Sequence, residues 1–202
     1  MAATSTSAAS VLLKALDLLS TLALVLYPFA IYAGVSSWGI GVLAPLLLAV
    51  FGLRLLRARP RTRELFPVTV AIATVGIILV MASWILKRSG WLLYYPVAVS
   101  LILLAVFGWT LLRPPSLVER LARLADPRLP AAAVAYTRNV TRVWCVFFAC
   151  NALAALATCL RGDLRLWTLY NGAVSYLLIG LLMAGEWFVR RRFMSRHAPS
   201  TP

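Results

Sequence analysis

No charged residue interrupts the 36 positions from Leu18 to Leu53, the 22 from Leu65 to Leu86, or the 24 from Ser89 to Leu112. A helix needs only about 20 apolar residues to cross the hydrocarbon core of a bilayer. The first run is too long to be one crossing: at about 1.5 Å per residue it would reach about 54 Å, against a core of about 30 Å. It has to turn, and Gly34, Ser36, Ser37, Gly39 and Gly41 cluster near its middle. Composition agrees, with 62% hydrophobic and 13% charged residues, where soluble domains carry roughly 45 to 50% and about 25%. Water cannot be the solvent for such a chain.

These breaks predict an all-α polytopic membrane protein that forms a single membrane domain over 1–202. Its six transmembrane helices cover about 11–33, 38–57, 65–86, 91–112, 140–160 and 166–189. Pro114 and Pro115 stop the fourth span, because proline lacks the amide that would continue the ladder. Residues 114–130 form a loop and 190–202 a basic tail. Before the first span Ala, Ser and Thr precede an apolar run, as in a secretory signal. There is no basic segment ahead of Lys14, and Asp17 sits where the apolar region should begin, so an uncleaved first helix is expected.

Net charge is +14, and arginine outnumbers lysine eighteen to two. In a soluble chain that would suggest nucleic acid, but the aromatic residues sit in the spans and not among the arginines, so no nucleic-acid surface is expected. Sixteen of the twenty basic residues fall on one side of the predicted spans: Lys14, five arginines from Arg54 to Arg63, six from Arg113 to Arg142, and four from Arg190 to Arg196. The other side holds Lys87, Arg88, Arg161 and Arg165. The positive-inside rule makes the first side cytoplasmic, with both termini there, in a bacterial inner membrane. Tyr27, Trp38, Trp84, Trp91, Tyr94, Tyr95, Trp167 and Tyr170 read as an outer aromatic belt, and Trp109 and Trp187 as an inner one.

A short repeat runs through the spans. Leu48-Ala-Val-Phe-Gly-Leu-Arg-Leu-Leu-Arg57 recurs 56 residues later as Leu104-Ala-Val-Phe-Gly-Trp-Thr-Leu-Leu-Arg113, with eight of ten positions identical and a weaker echo at Gly185 to Arg190. Apolar helices ending in arginine also look alike by chance. If the repeat is a duplication, the six spans are three similar hairpins.

In the long loop, Ser116-Leu-Val-Glu119 fits a capping box, Ser116 accepting from the third helical amide and Glu119 reaching back. Leu117, Leu121 and Leu124 then share one face of a short amphipathic helix. It would lie in the membrane interface or pack on the cytoplasmic end of the bundle.

Ionisable groups within spans cost free energy, so each needs a reason. Asp17 and Glu186 qualify. Local pairing is one reading, Lys14 with Asp17 and Glu186 with Arg190. The other is an intramembrane polar cluster of Asp17, Arg54, Arg142, Asn151 and Glu186 that meets a head group or a coupling proton. In the fifth span Thr137, Thr141, Trp144, Phe148, Asn151, Ala155 and Thr158 recur at alternating steps of four and three, so this stripe should face other helices. Asn151 then reads as interhelical glue, or as the lining of a substrate cavity.

Catalytic schemes lack parts. His197, the one histidine, is in the tail, which removes a Ser-His-Asp triad and a histidine-ligated metal, and there is no phosphate-binding Gly-x-x-x-x-Gly-Lys loop. An enzyme would have to work with Asp17, Glu119, Glu186 and arginines. Cys145, Cys150 and Cys159 share one span without metal-ligand spacing and cannot reach one another along it, so they read as packing residues, and neither metal nor cofactor is expected.

The stretch from Pro115 to Arg190 resembles a family of small bacterial membrane proteins encoded beside acyl carrier proteins, acyl ligases and ketosynthases in aryl-polyene (xanthomonadin-like) pigment clusters. The residues that carry the resemblance are Ser116-Leu-Val-Glu-Arg-Leu121, Tyr136-Thr-Arg138, Val140-Thr141, Val143-Trp144, Phe147-Phe148 and Asn151, followed by Leu166-Trp167, Leu169-Tyr-Asn-Gly172, Tyr176 and Glu186-Trp187. It implies a pathway, acyl or polyene-lipid assembly, and not a reaction. Acyl carrier proteins are acidic, so Arg120, Arg123, Arg138 and Arg142 would attract one by salt-sensitive steering, while anionic lipid would be drawn to the same surface. The leading expectation is a non-enzymatic accessory or scaffold protein; a small transporter or flippase for the lipid product and an intramembrane transferase are the alternatives.

Overall fold

The computed structural model describes residues 22, 25–34, 39–56 and 66–196. Among them every regular element is helical: α1 (Tyr27–Ala33), α2 (Ile40–Leu56), α3 (Phe66–Ile85), a 3₁₀ turn (Ser89–Tyr94), α4 (Tyr95–Leu112), α5 (Leu117–Ala125), α6 (Ala131–Arg161), α7 (Leu164–Leu169), a π turn (Tyr170–Val174) and α8 (Ser175–Arg196). Lys14 and Asp17, most of the first expected span, Trp38, the arginines from Arg57 to Arg63, and His197 lie outside the described residues.

Among the described residues four segments are long and apolar enough to cross a membrane: Phe66–Ile85, Ser89–Leu112, Ala131–Arg161 and Leu164–Arg192. The protein is therefore an all-helical membrane protein. Its surface says the same: Leu153, Leu160, Leu177, Leu181 and Phe188 are each at least 60% exposed, while Ser83, Ser100, Thr141 and Asn151 are buried. Such an inversion is stable only where the surroundings are as apolar as the side chains. α2 has 17 residues, the lower end of what can span.

The turn expected in the long uncharged run is visible at its far edge. Gly39 takes φ of 73°, a left-handed conformation that a Cβ resists. Its amide donates to the Gly34 carbonyl at 2.7 Å. Gly162, at φ of 71°, ends α6 in the same way, and the Asp163 carboxylate then caps α7 by accepting from the amides of Arg165 and Leu166.

Helix boundaries differ from the sequence expectation where local turn chemistry is strong. The fourth span opens as 3₁₀ before Tyr95, and the last is broken by the π turn. The fifth crossing, expected over about 140–160, belongs to a helix that begins after Pro130, where proline predicts its start. Pro130 starts α6, whose 31 residues run about 46 Å at about 1.5 Å each, so about 16 Å overhangs a core of about 30 Å.

The core is built on α2, α3 and the α4–α6 pair. α4 makes its most extensive contact with α6, and α2 with α3. Phe51, fully buried, packs its ring against the bare backbone of Gly76 at the middle of α3. The rings of Tyr27 and Tyr95 stand 4.6 Å apart, with Phe51 5.2 Å from Tyr95. Tyr27 donates to the Leu92 carbonyl at 2.7 Å, and Trp167 Nε1 and Cys159 Sγ both reach the Leu93 carbonyl, at 3.0 and 3.1 Å. Leu92 and Leu93 lie in the 3₁₀ turn, whose carbonyls the α-helical ladder does not use in full. Tyr27, Tyr95 and Trp167 are thus not belt residues: they are buried among helices and satisfy an irregular turn. Trp84, Trp91, Trp109 and Trp187 are each more than 40% exposed, as belts require. Of the cysteines, Cys159 is buried and Cys150 is exposed on the apolar surface.

Candidate functional site

Two polar regions survive in this apolar frame. The deeper one centres on Asn151. Its amide Nδ2 donates to Ser100 Oγ on α4 at 3.0 Å. Its Oδ1 accepts from Tyr170 OH and from Ser175 Oγ, both at 3.0 Å. The π turn makes that double donation possible. Residues five apart on an α-helix point about 140° away from each other, whereas i→i+5 bonding brings them toward one face. Tyr170 and Ser175 therefore reach one oxygen. On the same stripe of α6, Thr137, Thr141, Phe148, Ala155 and Thr158 are buried as the periodicity requires. Thr158 accepts from Asn171 Nδ2 at 3.2 Å, and the same nitrogen donates to the Trp167 carbonyl at 2.9 Å. Asn171 Oδ1 has no partner among the described residues.

This network is interhelical glue. Both lone pairs of the Asn151 oxygen are used, and the residue ties α4, α6, the π turn and α8 in one constellation. Ser100, Tyr170, Ser175 and Asn171 escaped the sequence reading because polar residues every few positions in apolar helices carry no pattern that says which ones meet. The Tyr170-Asn171-Gly172 run was visible, but the π turn that aims it was not.

The other residues of the expected polar cluster sit elsewhere. Asp17 is outside the described residues. Arg142 is nine residues before Asn151 on α6, about 14 Å toward the basic end, and binds Asn139 Oδ1 at 2.9 Å. Glu186 accepts from Tyr136 OH at 3.3 Å, a level about 22 Å from Asn151 along α6. Glu186 and Arg190 form no ion pair among the described residues. The helix-end arginines find aromatic rings instead: Arg191 stacks on Trp187 at 4.3 Å, and Arg113 on Trp109 at 4.5 Å.

Arg54 is the exception in depth. It lies one turn beyond Phe51, and Phe51 packs at the midpoint of α3, so the Arg54 backbone sits well inside the span. The side chain is half-buried and its charge acts on the Tyr95 hydroxyl. Among the described residues it has no ion pair and no hydrogen bond. An unpaired guanidinium at that depth is costly.

The second region is the basic end of the bundle, where α5 lies across α4 and α6. The expected capping box does not form. Ser116 Oγ is buried without a partner among the described residues and caps no amide, and the Leu117 amide, the first of the helix, donates to Thr110 Oγ1 at 3.0 Å. The Glu119 carboxylate turns along its own helix to Arg123 at 2.8 Å. The Thr110 hydroxyl also donates to the Phe107 carbonyl at 2.8 Å, so the start of α5 is tied to α4 and not to its own serine. Leu117 is buried and Leu124 is 65% exposed, so α5 is packed on the bundle at its start and faces outward at its end.

Between α3, α4 and α5 lies an open groove of about 590 Å³, lined by Pro67, Ala105, Val106, Trp109, Leu117 and Arg120, with Thr110 at its floor. Arg120 Nε donates to the Pro115 carbonyl at 2.8 Å, which fixes the guanidinium at the rim. Arg138 is exposed on the first turns of α6 and Arg142, also exposed, stands at the edge of the expected crossing; four residues apart, they share one face, while Thr137 and Thr141 behind them are buried. Among the described residues no group of three histidine, cysteine or acidic side chains could hold a metal. No protein-family model matches the chain, and no curated protein and no solved structure matches it either.

Proposed function

We propose that this chain is a non-enzymatic accessory protein of acyl or aryl-polyene lipid assembly, seated in a bacterial inner membrane with its basic end and both termini in the cytoplasm. Six spans, arranged as three hairpins, carry a short interfacial helix between the fourth and fifth. The basic end docks an acidic partner, an acyl carrier protein or an enzyme that uses one.

The observation that supports this reading is the overhang of α6. It carries Arg138 beyond the expected crossing and leaves Arg142 at its edge, a ridge beside α5 with neither guanidinium held by a carboxylate among the described residues. Arg123, by contrast, is paired with Glu119 and contributes little net charge. The docking ridge is therefore Arg138 and Arg142, flanked by Arg120. Steering by such a ridge is electrostatic and weakens as salt rises.

Pull-down of the detergent-solubilised protein with the cognate carrier protein at low salt tests it. The double charge reversal Arg138→Glu and Arg142→Glu abolishes recovery, while Arg123→Gln leaves it nearly unchanged. Equal recovery of wild type and the double reversal sinks the proposal. A small transporter or flippase for the product has one observation in its favour, the depth of Arg54, which has no ion pair among the described residues. In that case Arg54→Gln stops product export while carrier binding persists; normal export removes the reading.

A further inference from the structure

The groove at the basic end of the bundle has a chemistry of its own, independent of any docking partner. Its walls are apolar: Pro67 from the start of α3, Ala105 and Val106 from α4, Leu117 from α5. The hydroxyl at its floor is already committed, because Thr110 Oγ1 donates to the Phe107 carbonyl and accepts from the Leu117 amide. The rim, in contrast, is cationic. Trp109, which lines the groove, carries the Arg113 guanidinium 4.5 Å from its ring centre, and Arg120 stands at the rim with Nε held by Pro115. Among the described residues no carboxylate lines the groove, and Glu119, next to Arg120, is turned to Arg123 at 2.8 Å.

We infer that this groove holds one anionic phospholipid, with its phosphate at Arg113 and Arg120 and one acyl chain lying along Leu117, Val106, Ala105 and Pro67. An apolar trough that ends under two cations matches a chain joined to a phosphate. Volume agrees, since about 590 Å³ is within the range of small-molecule sites, roughly 300 to 1,000 Å³, and far too small for a protein partner. Charge selects among lipids. A phosphatidylcholine offers the same phosphate with a quaternary ammonium that the two guanidinium groups repel, whereas phosphatidylglycerol offers the phosphate alone. Each basic residue near an anionic head group contributes a factor of about five in affinity. The bound lipid would also cement α5 to α3 and α4, since it touches all three.

Native mass spectrometry of the full chain in mild detergent tests the site, with phosphatidylglycerol and phosphatidylcholine of matched acyl chains offered at equal concentration together with palmitate. One phosphatidylglycerol is retained per chain, preferred over phosphatidylcholine by about tenfold or more. Arg113→Gln and Arg120→Gln each lower that retention about fivefold, and Val106→Trp, which fills the trough, removes it. Arg113 is exposed, so its variant reports on the site even where Val106→Trp fails to fold. The double reversal Arg138→Glu and Arg142→Glu, which tests carrier docking, leaves lipid retention intact, so the two readings fail separately. Equal retention of both phospholipids, displacement by palmitate, retention unchanged by Arg113→Gln and Arg120→Gln, or a lipid-free dimer in which a second copy covers the groove would each overturn the inference.

Discussion

α2 and α4 share nine repeat positions, Leu48 to Leu56 and Leu104 to Leu112, seven of them identical, and yet they sit in different surroundings. Phe51 of α2 is fully buried against Gly76; its counterpart Phe107 is only partly buried and leans edge-on against Phe148 at 5.1 Å. Four residues before the repeated block, α2 presents the buried methyl of Ala44, whereas α4 presents Ser100 to Asn151. Within the block, Arg54 of α2 is replaced by Thr110 of α4, and here the contrast is sharpest: a charge inside the span with no ion pair among the described residues against a hydroxyl with two partners. A repeated sequence therefore fixes a repeated helix but not its environment. What each copy does is set by the positions where they diverge.

Steric closeness gives the largest effect. A Cβ at Gly76 would lie 2.5 Å from the Phe51 ring, so Gly76→Leu forces α2 away from α3 and costs about 3 kcal/mol. The repeat's own glycines face open space, so Gly52→Ala and Gly108→Ala leave thermal melting in detergent essentially unchanged. A melting temperature that fell equally in all three would erase the distinction between the two copies.

Next comes the polar side of the comparison. Asn151→Leu removes one donor and an acceptor shared by two hydroxyls. At about 0.6 kcal/mol for each interhelical bond in a membrane, the three together are worth about 2 kcal/mol. Ser100→Ala, which converts α4 to the residue type found at Ala44 of α2, removes only one of them and costs about 0.6 kcal/mol. Chemical denaturation in mixed micelles separates the two values. If Ser100→Ala equals Asn151→Leu, the network is not shared among helices as the distances indicate.

The copies can also be made alike at the charged position. Arg54→Thr gives α2 the residue that α4 has at Thr110 and takes out of the span a guanidinium that no described carboxylate meets. The sign is unusual for a buried substitution: stability rises, by about 1 to 2 kcal/mol after allowance for the half-exposed side chain. A fall in stability on Arg54→Thr would mean that the guanidinium has a structural partner.

The membrane class and much of this contrast were legible in the residues themselves. Uncharged runs longer than a bilayer core leave few alternatives, and the four-and-three spacing from Thr137 to Thr158 placed Asn151 on a packed face without any coordinates. Placement of Tyr27, Tyr95 and Trp167 was not legible. An aromatic residue near a helix end satisfies a water interface or an irregular backbone turn equally well, and only the 3₁₀ turn at Leu92 and Leu93, invisible to hydropathy, decides for the latter. The depth of Arg54 was hidden for a related reason. Its position within α2 is plain, but how far α2 slides along α3 is set by Phe51 seating on Gly76, a contact between residues 25 apart in sequence.

The smallest effect concerns how α5 starts, and it separates a local signal from a tertiary one. Ser116 with Glu119 has the spacing of a capping box, a device worth about 1 kcal/mol when the serine oxygen accepts a helix amide. Here Ser116 Oγ accepts no helix amide and has no partner among the described residues, while the first amide of the helix, that of Leu117, is held from α4 by Thr110 Oγ1 at 3.0 Å. Thr110→Val, which keeps the shape and removes the oxygen, therefore costs about 1 kcal/mol and speeds hydrogen exchange at the Leu117 amide. Ser116→Ala costs nothing measurable, because it deletes a buried hydroxyl that has no bond to lose. The opposite ranking, with Ser116→Ala harmful and Thr110→Val silent, would restore the local cap and make α5 a helix that forms on its own before it docks.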